Sequence, residues 1–167
     1  MGLVRRESSS RRRPDVSPWR VSVLVRGRVG PVPKPPLPDD VREFLRRPLP
    51  AVMATLRSDG MPVSVATWYL LEDDDRVLVN MDHSRIRVKH LRRDPRVTLT
   101  ALAEDWYTHV SITGVVVEMA EDGGLEGIDR LSRHYRGRPY PRRDSPRVSA
   151  WIEIERWQGW GAHRSEG

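Results

Sequence analysis

The sequence predicts a mainly β protein with α-helices: a six-stranded antiparallel barrel carrying short helices on its outside. Two observations carry that class. From Ala51 onward, apolar residues recur with a period of two in six separate runs, divided by turn residues such as Asp59-Gly60. Between these runs, short stretches switch to helical spacing and are bounded by capping residues and prolines. Antiparallel strands with helices packed outside are the simplest arrangement of that pattern.

The elements follow in order. "LPDDVREFL" is a short helix, with Asp39 or Asp40 as N-cap, Glu43 in the first turns, an apolar stripe of Val41, Phe44 and Leu45, and an end near Pro48. "AVMATLR" is a strand with Val52, Ala54 and Leu56 on one face and Met53, Thr55 and Arg57 on the other. The "SDGMP" turn leads into a single strand from Val63 to Leu71, and "EDDD" turns the chain into "RVLVN". Asp73, Asp74 and Asp75 form a solvated hairpin tip, and no metal is assigned to them. After a second helix come "RVTLTAL" and a long strand from Tyr107 to about Met119. A third helix fits "LEGIDRLSRHYRG", with Leu125, Ile128, Leu131 and Tyr135 at helical spacing and Gly137 as C-cap. The last strand is "RVSAWIEIE", in which Val148, Ala150, Ile152 and Ile154 share a face.

Composition limits the function classes. A chain of 167 residues with 38% hydrophobic residues holds one modest core, and no run approaches the ~18–20 apolar residues of a membrane helix. The lack of Cys removes disulfides, thiolate metal sites and cysteine nucleophiles, and it fits a reducing cytoplasm. The net charge of +6 is unevenly placed: residues 1–37 carry nine Lys/Arg against Glu7 and Asp15, so the remainder is close to neutral. This Pro/Arg-rich extension is expected to be disordered or loosely attached, ahead of a folded domain over 38–163 and a tail at 164–167. No long apolar core follows "SRRRPDVSPW", so an export signal is not expected. Two alternatives stand for the extension: a basic arm that touches nucleic-acid phosphate, or a segment upstream of the true start.

The usual catalytic signatures are missing: no GxGxxG, Walker loop, GxSxG elbow or HExxH, and no zinc-like spacing among the five His. One stretch does carry chemistry. In "NMDHSRIRVKHLRRDPRV", Ser84 is placed as an N-cap, Val88 and Leu91 face the core, and Asp94-Pro95 closes the helix. Arg85, Arg87 and Lys89 then stand at the end where the macrodipole prefers negative charge by ~0.3–1 kcal/mol per group. A phosphate accepting backbone N–H groups and these side chains relieves the repulsion. The other reading is a solvated basic helix.

From about Leu37 to Ala162 the chain resembles the split β-barrel flavin and deazaflavin oxidoreductases, the superfamily that includes pyridoxamine 5′-phosphate oxidase. The resemblance rests on "AVMATLRSDGMPVSVATWYL", "RVLVNMDHSRIRVKHLRRDPRV", "VSITGVVVE" and "RHYRGRPYPRRD", followed by "RVSAWIEIERWQGW". "ATLRSDG", "TWY" and "RRDPRV" are similar to the branch that uses the deazaflavin coenzyme F420. The resemblance implies a split β-barrel homodimer holding F420, or alternatively FMN, in a groove between subunits.

It also implies roles for individual residues. Cofactor phosphate falls to Arg85, Arg87 and Lys89, although Arg87 stands where Lys is common and Lys89 where Arg is common, which changes the donor geometry. Thr55, Arg57, Val65, Thr67 and Trp68 match positions lining the ring and ribityl chain, and Asn80 and Met81 end a strand at the groove. His109 matches a polar position near the ring in the oxidase branch, or is a barrel-surface histidine. The glutamate tail of F420 needs further positive charge, for which Arg57, Arg92 and Arg93 are available. The implied activity is hydride transfer from reduced cofactor to a small organic acceptor, with the proton drawn from water and no side chain assigned as catalytic. An FMN-binding flavoprotein and a non-catalytic cofactor carrier are the alternatives. Trp106, Trp151, Trp157 and Trp160 are read as dimer or barrel-end packing.

Overall fold

The computed structural model describes residues 36–163, so the expectations for the basic extension and the last four residues lie outside the described residues. The element order is α1 (Asp39–Leu45), β1 (Ala51–Leu56), β2 (Pro62–Thr67), β3 (Leu70–Leu71), β4 (Val77–Asp82), α2 (Ile86–Arg93), β5 (Arg96–Leu102), β6 (His109–Glu121), α3 (Glu126–Arg136) and β7 (Arg147–Trp160). A 3₁₀ turn at Gly161–His163 follows. No helix among the described residues is long and apolar enough to cross a membrane.

The seven strands form one sheet in the order β2-β1-β5-β6-β7-β4-β3, with every neighbouring pair antiparallel. The two edges, β2 and β3, are consecutive in the chain. Their ladder is not closed, so the sheet wraps into a split barrel joined at that seam by the chain itself.

That seam corrects the expected strand count from six to seven. Val63–Leu71 is two strands because Trp68 and Tyr69 leave the ladder. Tyr69 is fully buried, its backbone N–H donates to the Tyr135 hydroxyl, and its own hydroxyl donates to the Arg47 carbonyl. The Trp68 ring stacks on Tyr135 at 5.2 Å. These anchors turn the chain from pairing with β1 to pairing with β4, and period-two reasoning does not see them.

Two expected caps also differ. Pro38 occupies the N-cap of α1, with Asp39 and Asp40 already inside the first turn, where carboxylates suit the dipole. Ser84 does not cap α2: its hydroxyl donates to Asp82 Oδ1 at 2.6 Å, the helix begins one residue later behind Arg85, and no side chain caps it. The acidic hairpin tip is paired rather than merely solvated, since Asp75 receives two 2.7 Å bonds from Arg42.

The barrel interior takes the alternate residues Ala51 and Met53 of β1, Val77, Val79 and Met81 of β4, and Val148, Ala150, Ile152 and Ile154 of β7. β4 is buried on both faces because α3 lies over its other side. There Leu78 meets Leu125, Ile128 and Leu131, with Trp68, Tyr140 and Trp151 at the margin. Gly127 lets α3 come this close: a Cβ at that position would collide with Ser149 Oγ. Gly137, at φ +70°, ends the helix in the left-handed conformation as expected.

Candidate functional site

A cleft of ≈ 720 Å³ opens where α3 leaves the sheet. Its walls are the end of β2 with the seam (Ala66, Thr67, Trp68), Asn80 of β4, Arg147 at the start of β7, the α3 side chains Ile128, Leu131, Tyr135 and Arg136, and Tyr140 and Arg142 from the following loop. Three arginines and three aromatic rings line it, and no carboxylate does. The cleft therefore favours an anion that also offers flat apolar surface.

The rings and cations are held in place. The Arg136 guanidinium lies 4.8 Å from the Trp68 ring centre, and that of Arg147 lies 4.7 Å from Tyr140. The Tyr135 hydroxyl donates to the Leu49 carbonyl at 2.7 Å, and burial pushes its pKa up to about 12. Its proton is therefore fixed to a backbone acceptor and not available to a ligand.

Behind the cleft runs a buried polar chain. The Asp122 carboxylate accepts the N–H groups of Gly127 and Ile128 at the start of α3, both at 3.0 Å, and the Asn80 amide at 2.8 Å. The same amide donates to Ser149 Oγ at 3.0 Å, while Asn80 Oδ1 accepts the Nε–H of Arg147 at 2.6 Å. Asp122 thus caps α3 from outside the helix and fixes Asn80 at once.

On the adjoining helix, Arg85 and Lys89 are exposed, whereas Arg87 is half-buried with its Nη1 fully enclosed and without a hydrogen-bond partner. Burial first, and then the nearby charges of Arg85 and Arg147, hold the Arg87 guanidinium below the ordinary arginine range.

The structure places the expected site residues in four groups. Thr67, Trp68 and Asn80 line the cleft, with Val65 two residues along β2, while Arg85 stands at the N-cap of α2 and Arg87 and Lys89 in its first turns. Thr55 and Met81, each 1% exposed, turn into the barrel, and the Thr55 hydroxyl is matched to His90 Nδ1 at 3.0 Å. Arg57 pairs with Asp59 at the hairpin tip, and His109 holds the Tyr107 carbonyl at the start of β6, beside Leu102 and Trp160. Neither lines the cleft. Arg92 and Arg93, considered for a glutamate tail, are engaged by Glu121 and by the Leu56 carbonyl.

Sequence reasoning missed Arg136, Tyr140, Arg142 and Arg147 as site residues and used Tyr135 only as helix spacing. The available signal was the density of Arg and Tyr in "RHYRGRPYPRR", directly before the strand that pairs with β4.

The geometry is that of a split barrel with a cationic helix start and an arginine-lined cleft. Residues 37–161 match the family model described as pyridoxamine 5′-phosphate oxidase, and the chain belongs to that family. Solved structures agree on the fold. An F420 reductase superposes with a TM-score of 0.65 at 22% identity, covering 73% of this chain and 98% of that one. A conserved hypothetical protein from Mycobacterium tuberculosis gives 0.61 at 24% identity over 80% and 94% of the two chains. A putative pyridoxamine 5′-phosphate oxidase from Listeria innocua gives 0.55 at 16% identity over 72% and 95%. Among curated proteins, no relative matches the chain.

Proposed function

We propose that the protein is a coenzyme F420-dependent oxidoreductase that transfers a hydride between the reduced deazaflavin and a small organic acceptor, acting as a cytoplasmic homodimer. The observation that carries the reading is the enclosed, partnerless Nη1 of Arg87 beside a carboxylate-free cleft lined by Thr67, Trp68 and Asn80. These groups fit a cofactor with a phosphate at one end and a flat ring at the other. The likeness to an F420 reductase supports the deazaflavin over FMN.

When bound, the deazaflavin supplies a two-electron hydride. The chain's own part is to bind, orient and exclude water. Arg87, with Arg85 and Lys89, neutralises the phosphate. Tyr140, with one face on Arg147, offers aromatic surface to a planar ligand, and Ile128 and Leu131 supply apolar wall. No lining side chain is a carboxylic acid and Tyr135 has its proton engaged, which leaves the Tyr140 hydroxyl and solvent as the proton sources.

A second copy is supported by the outer surface of β1 and β2. Val52 is 38% exposed in the middle of a strand, the facing Ala66 and Ser64 are small and exposed, and no residue of β2 is buried. Sedimentation at micromolar concentration checks this, with a single monomer species as the adverse result.

The function is tested by fluorescence titration of the purified chain with F420 and with FMN. Micromolar F420 binding and much weaker FMN binding are expected. Preference for FMN moves the protein to the flavoprotein side of its family, and binding of neither removes the oxidoreductase reading.

A further inference from the structure

Between Gly137, which ends α3, and Arg147, which begins β7, residues 138–146 form neither helix nor strand. This segment supplies Tyr140, Pro141 and Arg142 to the wall of the cleft. Its second half, Arg143 to Pro146, lines a separate hollow of ≈ 290 Å³ against Glu121, Asp122 and Leu125. Open volume therefore lies on both sides of it, and only Tyr140 and Ser145 within it are even partly covered.

The ends of the segment are tied by the Gly137 N–H, which donates to the Arg133 carbonyl at 2.8 Å, and by the Pro146 carbonyl, which accepts the His83 N–H at 2.9 Å. Between those ties the hydrogen bonds converge on one side chain. Asp129 Oδ1 accepts the Tyr140 N–H at 2.9 Å and Arg143 Nη1 at 2.6 Å, and the same Nη1 donates back to the Tyr140 carbonyl at 3.3 Å. Among the described residues, no other backbone N–H or carbonyl of 138–145 bonds to the body of the domain. The one further anchor is the Tyr140 ring, which lies 4.7 Å from the Arg147 guanidinium.

Asp129 is 8% exposed, and a carboxylate so placed is costly unless it is paired. Its partners are Tyr140, Arg143 and, one turn along its own helix at 3.9 Å, Arg133. None of them belongs to the sheet. The seat of α3 on the sheet rests on other groups: Leu125, Ile128 and Leu131 against Leu78, and the Asp122 cap. Asp129 thus serves the segment and not the helix that carries it.

We propose that residues 138–146 are a movable strap over the cleft and that Asp129 is the latch that holds it closed, a positioning residue that sets Tyr140 and Arg142 against the occupant of the cleft. Opening breaks the bonds to one carboxylate and one ring contact, far less than unfolding the domain. Pro139 and Pro141 fix the backbone on either side of Tyr140, so the strap moves with little freedom of its own. A segment of this kind gates entry and exit. The strap belongs to the fold whatever fills the cleft, while its effect on ligand kinetics rests on the cofactor reading above.

Hydrogen exchange read by mass spectrometry on the ligand-free full chain tests the latch. D129A should speed exchange across 138–146 about tenfold or more, with exchange across α3 changing less than about twofold. D129N, which keeps an acceptor for the Tyr140 N–H, and R143Q should each give a smaller rise, and the double variant D129N/R143Q should exceed neither single one, because both remove the same ion pair. If D129A does not fold, these three variants decide. Equal acceleration of α3 and the strap would make Asp129 a support of the helix and overturn the proposal. So would unchanged exchange, or effects of D129N and R143Q that multiply. Stopped-flow fluorescence then follows dissociation of whichever of F420 and FMN the native chain binds, expected to be about tenfold faster from D129A. An unchanged rate from a variant with a loosened strap overturns the strap as the wall of the cleft. Should the native chain bind neither, the cofactor reading fails and exchange alone decides the latch.

Discussion

Replacing Arg87 by methionine should stabilise the empty protein and cripple ligand binding, two effects of opposite sign from one side chain. The long stem of Met keeps the packing that the Arg methylenes supply. What it removes is an enclosed Nη1 with no partner, in a guanidinium already disfavoured by burial and by Arg85 and Arg147. A buried donor left unmade costs ~1–3 kcal/mol. Because Arg87 is only half-buried, solvent screens the remainder of its charge and the low end applies, about 1 kcal/mol. For a folded region of this size that is a rise of roughly 3–5 °C in Tm without ligand.

The same substitution deletes a charge-assisted contact to phosphate worth ~1.5–3 kcal/mol, a loss of about 10- to 150-fold in Kd for F420 or FMN. Differential scanning fluorimetry of the ligand-free chain gives the first quantity and fluorescence titration the second. A lower Tm with unchanged Kd would refute the reasoning, because it would mean that Arg87 is a structural residue whose enclosed nitrogen has a use not involving a ligand.

Three further outcomes follow from the buried chain and the surface pairs. Asp122→Ala leaves the N–H groups of Gly127 and Ile128 and the Asn80 amide short of an acceptor, and should cost about 2–4 kcal/mol in urea unfolding, with Asp122→Asn costing less. Gly127→Ala drives a Cβ against Ser149 Oγ and should cost ~1–3 kcal/mol, part of which the double variant with Ser149→Ala recovers; purely additive losses would show that α3 does not sit where it is drawn. The Asp94 carboxyl is held down to about 2, chiefly by its bonds from Arg96. Its folded value lies below the ordinary 3.8, so its contribution is complete above about pH 4 and is lost as pH falls toward 2. Asp94→Asn should flatten the acid limb of stability in that window, and an unaltered limb would count against the pair.

Much of the architecture was legible because it is local. Alternation in "AVMATLR" and "RVSAWIEIE", the Asp59-Gly60 turn, and Gly137 after an apolar stripe are consequences of backbone chemistry within a few residues, and the structure has each of them. The errors share a cause of the opposite kind. Ser84 has the composition of an N-cap, but Asp82, two residues earlier, competes for its hydroxyl. Val63–Leu71 has the pattern of one strand, but Tyr135, 66 residues away from Tyr69 in the chain, accepts the chain where it turns.

The site divides along the same line. The cations of α2 announce themselves by sitting at the wrong end of a helix, which needs no knowledge of the fold. Whether they are solvated or enclosed is a tertiary property: Arg85 and Lys89 face water, and only Arg87 has a nitrogen sealed from both water and protein. Arg147 lies 67 residues from the asparagine that orients it, and in the sequence it is one more arginine in a chain with a large excess of them. The antiparallel register sets it opposite Asp82, beside a backbone bond that ties the turn before α2 to the start of β7.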